Sequence, residues 1–156
     1  MADVQQIINE VTQVYGKERK ALMPILQAVI KTKNYLDDKD LILVSKALDL
    51  SAAEVFGTAS FYTFLDTVPR GKNVIRICKT ISCHMAGKDE IIQAIEKALN
   101  IRTGETTVDR KFTLLTANCL GWCHKGPVML INDKVFPELT PEKAIAILQN
   151  YQNDEE

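Results

Sequence analysis

The side chains of this 156-residue chain that are best suited to bind a metal centre or do redox chemistry are its four cysteines. They form two pairs along the sequence: Cys78 and Cys83, then Cys119 and Cys123. Each pair begins where a strand is predicted to end, because residues 73–77 and 112–117 have the apolar and β-branched character of strands. If these two strands are parallel neighbours, both loops emerge at the same end of the sheet. The sequence therefore predicts that four sulfurs can surround one site.

The spacing within each pair bears on which centre the sulfurs could hold. Four residues separate Cys78 from Cys83, and three separate Cys119 from Cys123. Structural zinc sites mostly use tight Cys-x-x-Cys turns, whereas iron–sulfur proteins accept wider gaps between their thiolate ligands. The spacing favours one 2Fe–2S cluster, with zinc as the main alternative and two structural disulfides as a third. A thioredoxin-type redox dithiol needs Cys-x-x-Cys, which the sequence does not contain.

Several neighbours of the cysteines could take part in such a site. His84 and His124 each follow a cysteine, but four cysteines already fill the coordination, so we expect neither histidine to be a ligand. Trp122 could shield the centre or contact a partner, or it could pack beneath the loop. Gly121 and Gly126 either let the backbone approach the sulfurs closely or simply form turns.

The first part of the chain is predicted to be a helical bundle, covering residues 1–70. Apolar residues recur at helical spacing in 4–14, 22–29 and 38–48. Ser51 and Glu54 are placed to form a capping box at the start of a fourth helix. A turn-forming stretch at 69–72 then ends this region.

In the second part, residues 71–156, the spacing of apolar residues changes from purely helical to a mixture of strand and helix patterns. Its predicted order is strand, helix at 87–100, strand, a pair of short strands at 128–131 and 135–136, and a final helix that begins near Pro141. This order is typical of a thioredoxin-like domain with a mixed sheet covered by helices. The predicted fold class is therefore α+β, with a helical bundle followed by a thioredoxin-like domain.

Composition excludes several classes of function. The net charge is −1, and residues 37–66 contain two basic and six acidic side chains, a balance of −4. A DNA-binding face needs the opposite sign, so we interpret this region as a packing and docking module rather than a helix-turn-helix. No apolar run approaches the ~20 residues of a membrane span. The N-terminus has neither signal-peptide nor transit-peptide character, so we expect a cytoplasmic protein.

Motifs along most of the chain resemble one known family. They are Leu-Met-Pro-Ile-Leu at 22–26, Glu-Val-Phe-Gly-Thr-Ala-Ser-Phe-Tyr at 54–62, Gly-Glu-Thr-Thr at 104–107, Cys-Leu-Gly-Trp-Cys at 119–123 and Leu-Thr-Pro-Glu at 139–142. Together with the first cysteine pair, they resemble the small 2Fe–2S subunit of NADH dehydrogenases, the NuoE type of respiratory complex I. Similar subunits occur in NAD(P)-linked bacterial hydrogenases and formate dehydrogenases. Gly126 is a small departure, since relatives often have alanine there.

The resemblance implies an electron-transfer subunit without a substrate site of its own. It implies that Cys78, Cys83, Cys119 and Cys123 bind one 2Fe–2S cluster, which exchanges electrons with the FMN of a partner flavoprotein. That partner would bind NAD(P) and often a 4Fe–4S cluster, within a dehydrogenase, hydrogenase, formate dehydrogenase or electron-bifurcating assembly. The chain itself has no glycine-rich nucleotide-binding motif, in agreement with NAD(P) binding by the partner subunit. The alternative function is a four-cysteine zinc module for assembly, without a redox role.

Overall fold

The computed structural model describes residues 4–153, which form two compact units divided between Pro69 and Arg70. The first unit is helical and the second combines helices with one sheet. Within the described range, no helix is both long enough and apolar enough to span a membrane.

Four helices build the first unit. They are α1 (Val4–Tyr15), α2 (Leu22–Lys33), α3 (Asp38–Leu48) and α4 (Ala52–Phe61), with a 3₁₀ turn at Arg19–Ala21 before α2. The predicted apolar faces form a single core, to which α3 contributes Leu41, Val44 and Leu48. The apolar spacing of residues 4–14 predicts that Val14 shares the buried face of α1. That prediction is wrong, because the Val14 side chain is 77% exposed.

The helix caps differ from those expected. The Ser51 hydroxyl accepts a hydrogen bond from the Glu54 N–H at 3.2 Å, but the Glu54 carboxylate pairs with Arg19 at 2.6 Å, so only half of the predicted box forms. A complete capping box instead begins α3, where Asp37 and Asp40 exchange bonds with each other's backbone N–H. Lys33 Nζ lies 2.6 Å from the buried Asp40 carboxylate. The Lys33–Asp40 pair therefore links the end of α2 to the first turn of α3.

The second unit is a mixed four-stranded sheet with three helices. The strands are β1 (Asn73–Cys78), β2 (Phe112–Ala117), β3 (Met129–Ile131) and β4 (Lys134–Phe136), in the order β2-β1-β3-β4. Strands β1 and β2 are parallel, whereas β3 is antiparallel to both β1 and β4. The predicted α+β class with a thioredoxin-like mixed sheet is confirmed.

The helices of this unit are α5 (Ile81–Met85), α6 (Lys88–Leu99) and α7 (Pro141–Asn153). Helices α6 and α7 pack against each other and share one apolar core with the sheet, through Ile91 and Ile95 of α6 and Leu148 of α7. Helix α5 was not predicted. It lies within the first cysteine loop, where the sequence pattern indicates no regular element.

Candidate metal centre

The central strand pair positions the cysteine loops. Strands β1 and β2 run in parallel register from Asn73↔Phe112 to Cys78↔Ala117, so their carboxyl ends lie side by side. Cys78 is the last residue of β1, and Cys119 follows β2 after one intervening residue. The predicted parallel pairing is confirmed, and it brings both loops to the same edge of the sheet.

The first cysteine pair is buried. Cys78 and Cys83 are 2% and 1% exposed, and they pack with Val128 in a small apolar cluster of their own. Helix α5 directs Cys83 inward, while the side chains of Ile81 and Met85 on the same short helix are 69% and 82% exposed. The Cys78 N–H donates to the Val128 carbonyl at 3.1 Å, which ties the end of β1 to the segment before β3.

The second pair lies at the surface. Cys119 and Cys123 are exposed, and their Sγ atoms are 3.5 Å apart. That distance is far longer than the ~2.05 Å of a disulfide bond, and all four cysteines are free thiols. The two-disulfide alternative therefore does not describe this structure. A left-handed turn at Gly121 (φ 81°) lets its N–H donate to Cys119 Sγ at 3.4 Å.

Hydrogen bonds and charges link the sulfurs. Burial acts to raise the pKa of Cys78, but hydrogen bonds from Thr80, Cys83 and the Leu120 backbone bring that pKa below its ordinary value. The pKa of Cys83 is raised, first by burial and then by its hydrogen bond with Cys78. The pKa of Cys123 is raised mainly by its hydrogen bond with Cys119, with a smaller contribution from charge on Cys78. The two pairs therefore share one electrostatic environment, and Cys78 is the thiol most ready to ionise within its own pair.

The two glycines of the second loop act differently. Gly121 has open space around it, and its positive φ is what favours glycine there. Gly126 has an ordinary extended backbone, but a Cβ at this position would lie 3.3 Å from Cys83 Sγ. An alanine at Gly126 would thus need Cys83 Sγ to move by only a few tenths of an ångström, whereas turn geometry explains the glycine at 121.

The aromatic neighbours have partners other than sulfur. His84 Nδ1 lies 2.8 Å from Asp89 Oδ2, and the His124 ring stacks on Trp122 with centroids 5.8 Å apart. The Trp122 side chain is 39% exposed, so part of the indole faces solvent and part is covered. Sequence reasoning missed one sulfur contact, in which Thr80 Oγ1 lies 3.1 Å from Cys78 Sγ. A hydroxyl residue two positions after a cysteine was the available signal.

The thiols fit a binuclear centre. Within residues 4–153, no three cysteine, histidine or carboxylate side chains are already gathered closely enough to hold a metal ion. The thiols form one contacting pair in each loop, through the hydrogen bond between Cys78 and Cys83 and the contact between Cys119 and Cys123. A 2Fe–2S cluster takes four thiolates, two on each iron. The donor set and its division into pairs match that requirement.

Comparison with known proteins agrees with this chemistry. The profile of the thioredoxin-like [2Fe-2S] ferredoxin family matches residues 5–152. The E subunit of NADH-quinone oxidoreductase from Salmonella typhimurium is 38% identical over 138 residues, which are 88% of this chain and 83% of that protein. The corresponding NADH-quinone oxidoreductase protein of Buchnera aphidicola from Acyrthosiphon pisum is 34% identical over 150 residues, or 96% of this chain and 92% of that protein.

A solved structure extends the comparison. The fold superposes on a chain of an NAD+-reducing [NiFe]-hydrogenase in its air-oxidized state with a TM-score of 0.73 and 26% identity. The match covers 84% of this chain but only 23% of that hydrogenase chain, so the same fold there is part of a much longer polypeptide. The resemblance found in the sequence is confirmed, and the chain belongs to the thioredoxin-like [2Fe-2S] ferredoxin family.

Proposed function

We propose that this chain is an electron-transfer subunit that carries one 2Fe–2S cluster on Cys78, Cys83, Cys119 and Cys123. The observation that supports this most strongly is the placement of two pairs of free thiols at the carboxyl ends of two parallel strands. We assign one iron to each contacting pair, because each iron of such a cluster takes two thiolates. One-electron chemistry is what a 2Fe–2S group supplies when bound.

The protein's own residues would hold that group and set its environment. Cys78 and Cys83 would ligate from a buried pocket beside Val128, where they are 2% and 1% exposed to solvent. Cys119 and Cys123 ligate from the surface, where electrons can enter and leave. The backbone N–H groups of Leu120 and Gly121 point at sulfur and stabilise negative charge there.

We further propose that the electron partner is an NAD(P)H-linked flavoprotein that carries FMN and often a 4Fe–4S cluster. The names of the relatives support an NAD-linked complex, either a dehydrogenase or a hydrogenase. Formate dehydrogenase and electron-bifurcating assemblies would suit the same subunit. In this proposal the chain has no substrate site, binds no nucleic acid and works in the cytoplasm, where nicotinamide nucleotides are available.

Anaerobic purification tests the cofactor. We expect a brown protein with about two irons and two acid-labile sulfides per chain, and one 2Fe–2S signal by EPR after reduction with dithionite. Mixing it with the reduced FMN subunit of the same organism should then bleach its visible absorbance. A colourless protein with stoichiometric zinc and no sulfide would contradict the proposal and favour the assembly module.

We also propose that the helical unit docks onto the flavoprotein. Segment 56–68, named here the aromatic segment, exposes several large apolar side chains, and exposed apolar patches of this kind mark interaction sites. The exposed side chains are those of Phe56, Phe61, Tyr62, Phe64 and Val68. Three of these belong to the Glu54–Tyr62 motif that carried the family resemblance. In the hydrogenase, the matching region makes up only 23% of its chain. The rest of that polypeptide is therefore a large protein neighbour of the same fold.

Changing Phe61 to Ser tests this docking surface. Phe61 is 77% exposed, so its replacement should leave the fold and the cluster signal intact while weakening the complex with the co-expressed FMN subunit about tenfold or more. Tyr15, which is 46% exposed on α1 and outside the aromatic segment, provides the matched control as Tyr15→Ser. Equal affinity of Phe61→Ser and wild type in a titration of the FMN subunit would contradict the docking proposal.

A further inference from the structure

The Thr80 side chain occupies an unusual position for a helix N-cap. Thr80 precedes α5 with extended backbone dihedrals, where a threonine hydroxyl ordinarily accepts a bond from an N–H of the first turn. Here the hydroxyl makes no such capping bond. Oγ1 instead lies 3.1 Å from Cys78 Sγ, and the same hydroxyl also interacts with the Cys83 thiol. Helix α5 therefore lacks a side-chain cap, and the Thr80 hydroxyl contacts the sulfurs of Cys78 and Cys83 instead.

Ligation decides the direction of this hydrogen bond. In the free thiol, the Cys78 S–H donates to the Asn118 carbonyl at 3.3 Å, and either Cys78 or Thr80 could donate in the contact between them. A thiolate has no proton to donate, so binding to iron removes the bond to Asn118 and leaves the Thr80 O–H as the donor.

We infer that Thr80 tunes the cluster by donating its hydroxyl hydrogen to the ligating sulfur of Cys78, which raises the midpoint potential. A one-electron reduction adds negative charge to the iron and its sulfurs, and a donor aimed at sulfur stabilises the reduced form more than the oxidised form. The effect is strong at this position because Cys78 is 2% exposed and little water competes with the hydroxyl. This inference rests on the proposed function, since it needs the cluster.

Variants at Thr80 separate the hydroxyl from the shape of the side chain. Thr80→Val keeps the shape and removes the hydroxyl, whereas Thr80→Ser keeps the hydroxyl and removes a methyl group. Ser82→Ala is the matched control, because Ser82 is exposed on α5 beside Cys83 and makes no hydrogen bond to a sulfur of the described residues. The readout is an EPR-monitored redox titration of each purified holoprotein, with iron and sulfide contents measured in parallel.

We expect Thr80→Val to retain the cluster and to titrate at a more negative potential than wild type. Thr80→Ser and Ser82→Ala should titrate with the wild type. If Thr80→Val fails to fold or to hold iron, Thr80→Ala replaces it, because Thr80→Ser and Thr80→Ala differ only in the oxygen atom.

Three results would overturn the inference. They are an unchanged potential in the hydroxyl-free variants, an equal shift in Ser82→Ala, and loss of the cluster from Thr80→Ser, which would show that the methyl group has a structural role. Each of these leaves a wild-type protein with a 2Fe–2S signal, so the proposed function survives them. Absence of the signal from wild type would instead overturn both.

Discussion

Replacing Cys83 or Cys119 with serine should remove most of the 2Fe–2S absorbance and EPR signal, or distort what remains. A serine hydroxyl ionises far less readily than a thiol and is a harder ligand, so it holds iron poorly where thiolate is required. Anaerobic iron and sulfide analysis, together with EPR of the reduced proteins, measures the loss. An unchanged cluster spectrum in either variant would remove that cysteine from the ligand set.

The two serine variants should differ in what else they disturb. Cys119 is exposed, so Cys119→Ser changes little in the cluster-free protein. Cys83 is buried against Val128 and sits close to Gly126, so Cys83→Ser also places a hydroxyl in an apolar pocket, at a cost of about 1–2 kcal/mol. Ser82→Ala, one residue away from Cys83, should retain the full signal and serves as the control for both.

Local periodicity explains why much of the fold was predictable. The structure has the strand predicted at 73–77 and the helix predicted at 87–100 as β1 and α6. Strand β1 is buried along its whole length, whereas α6 buries residues at helical spacing. The sequence of this helix predicts a buried stripe of Ile91, Ile95, Ala98 and Leu99. Ile91 and Ile95 are buried, whereas Ala98 is exposed. Leu99 in the same final turn packs against the core of the sheet, so the apolar stripe continues through Leu99 and leaves Ala98 at its exposed margin.

Features that depend on distant residues were not predictable. Glu54 was expected to complete a capping box, but its carboxylate forms an ion pair with Arg19, which lies 35 positions earlier in the sequence. Helix α5 has only five residues, too few for a periodic signal, and it forms where Cys83 packs against Val128. The site was predictable as four sulfurs on two loops, but not the division into a buried and an exposed pair. That division depends on α5, which places Cys83 in the buried cluster with Val128.

Gly71 is the second position where we expect a large effect. The sequence pattern predicts only a turn there, but in the structure Gly71 is buried against the start of β2. Its N–H donates to the Thr113 hydroxyl at 2.7 Å, and a Cβ there would lie 2.8 Å from the backbone carbon of Phe112 and 2.9 Å from the Arg110 carbonyl oxygen. Both obstacles are backbone atoms, so no side-chain rotation can relieve the overlap.

Gly71→Ala should therefore destabilise the second unit by about 2–3 kcal/mol, because the alanine forces β1 and β2 apart where their pairing begins. In thermal unfolding of the holoprotein followed by cluster absorbance, this corresponds to a fall in Tm of roughly 10–15 °C. Gly57→Ala in α4 is the matched control. A Cβ at Gly57 meets nothing within 4 Å, so this change should stabilise the helix by about 0.5–1 kcal/mol.

The consequence of Gly71→Ala extends to the metal centre. The Lys72 and Asn73 N–H groups donate hydrogen bonds to the carbonyl oxygens of Arg110 and Lys111. These bonds lie at the start of the parallel β1–β2 pairing, which ends at Cys78 and Ala117. Loosening that register separates the two cysteine loops, so Gly71→Ala should also release iron to a chelator faster than wild type. Wild-type stability and iron release in Gly71→Ala would show that the strand pairing tolerates the alanine, and that the close approach at Gly71 does not set the geometry of the site.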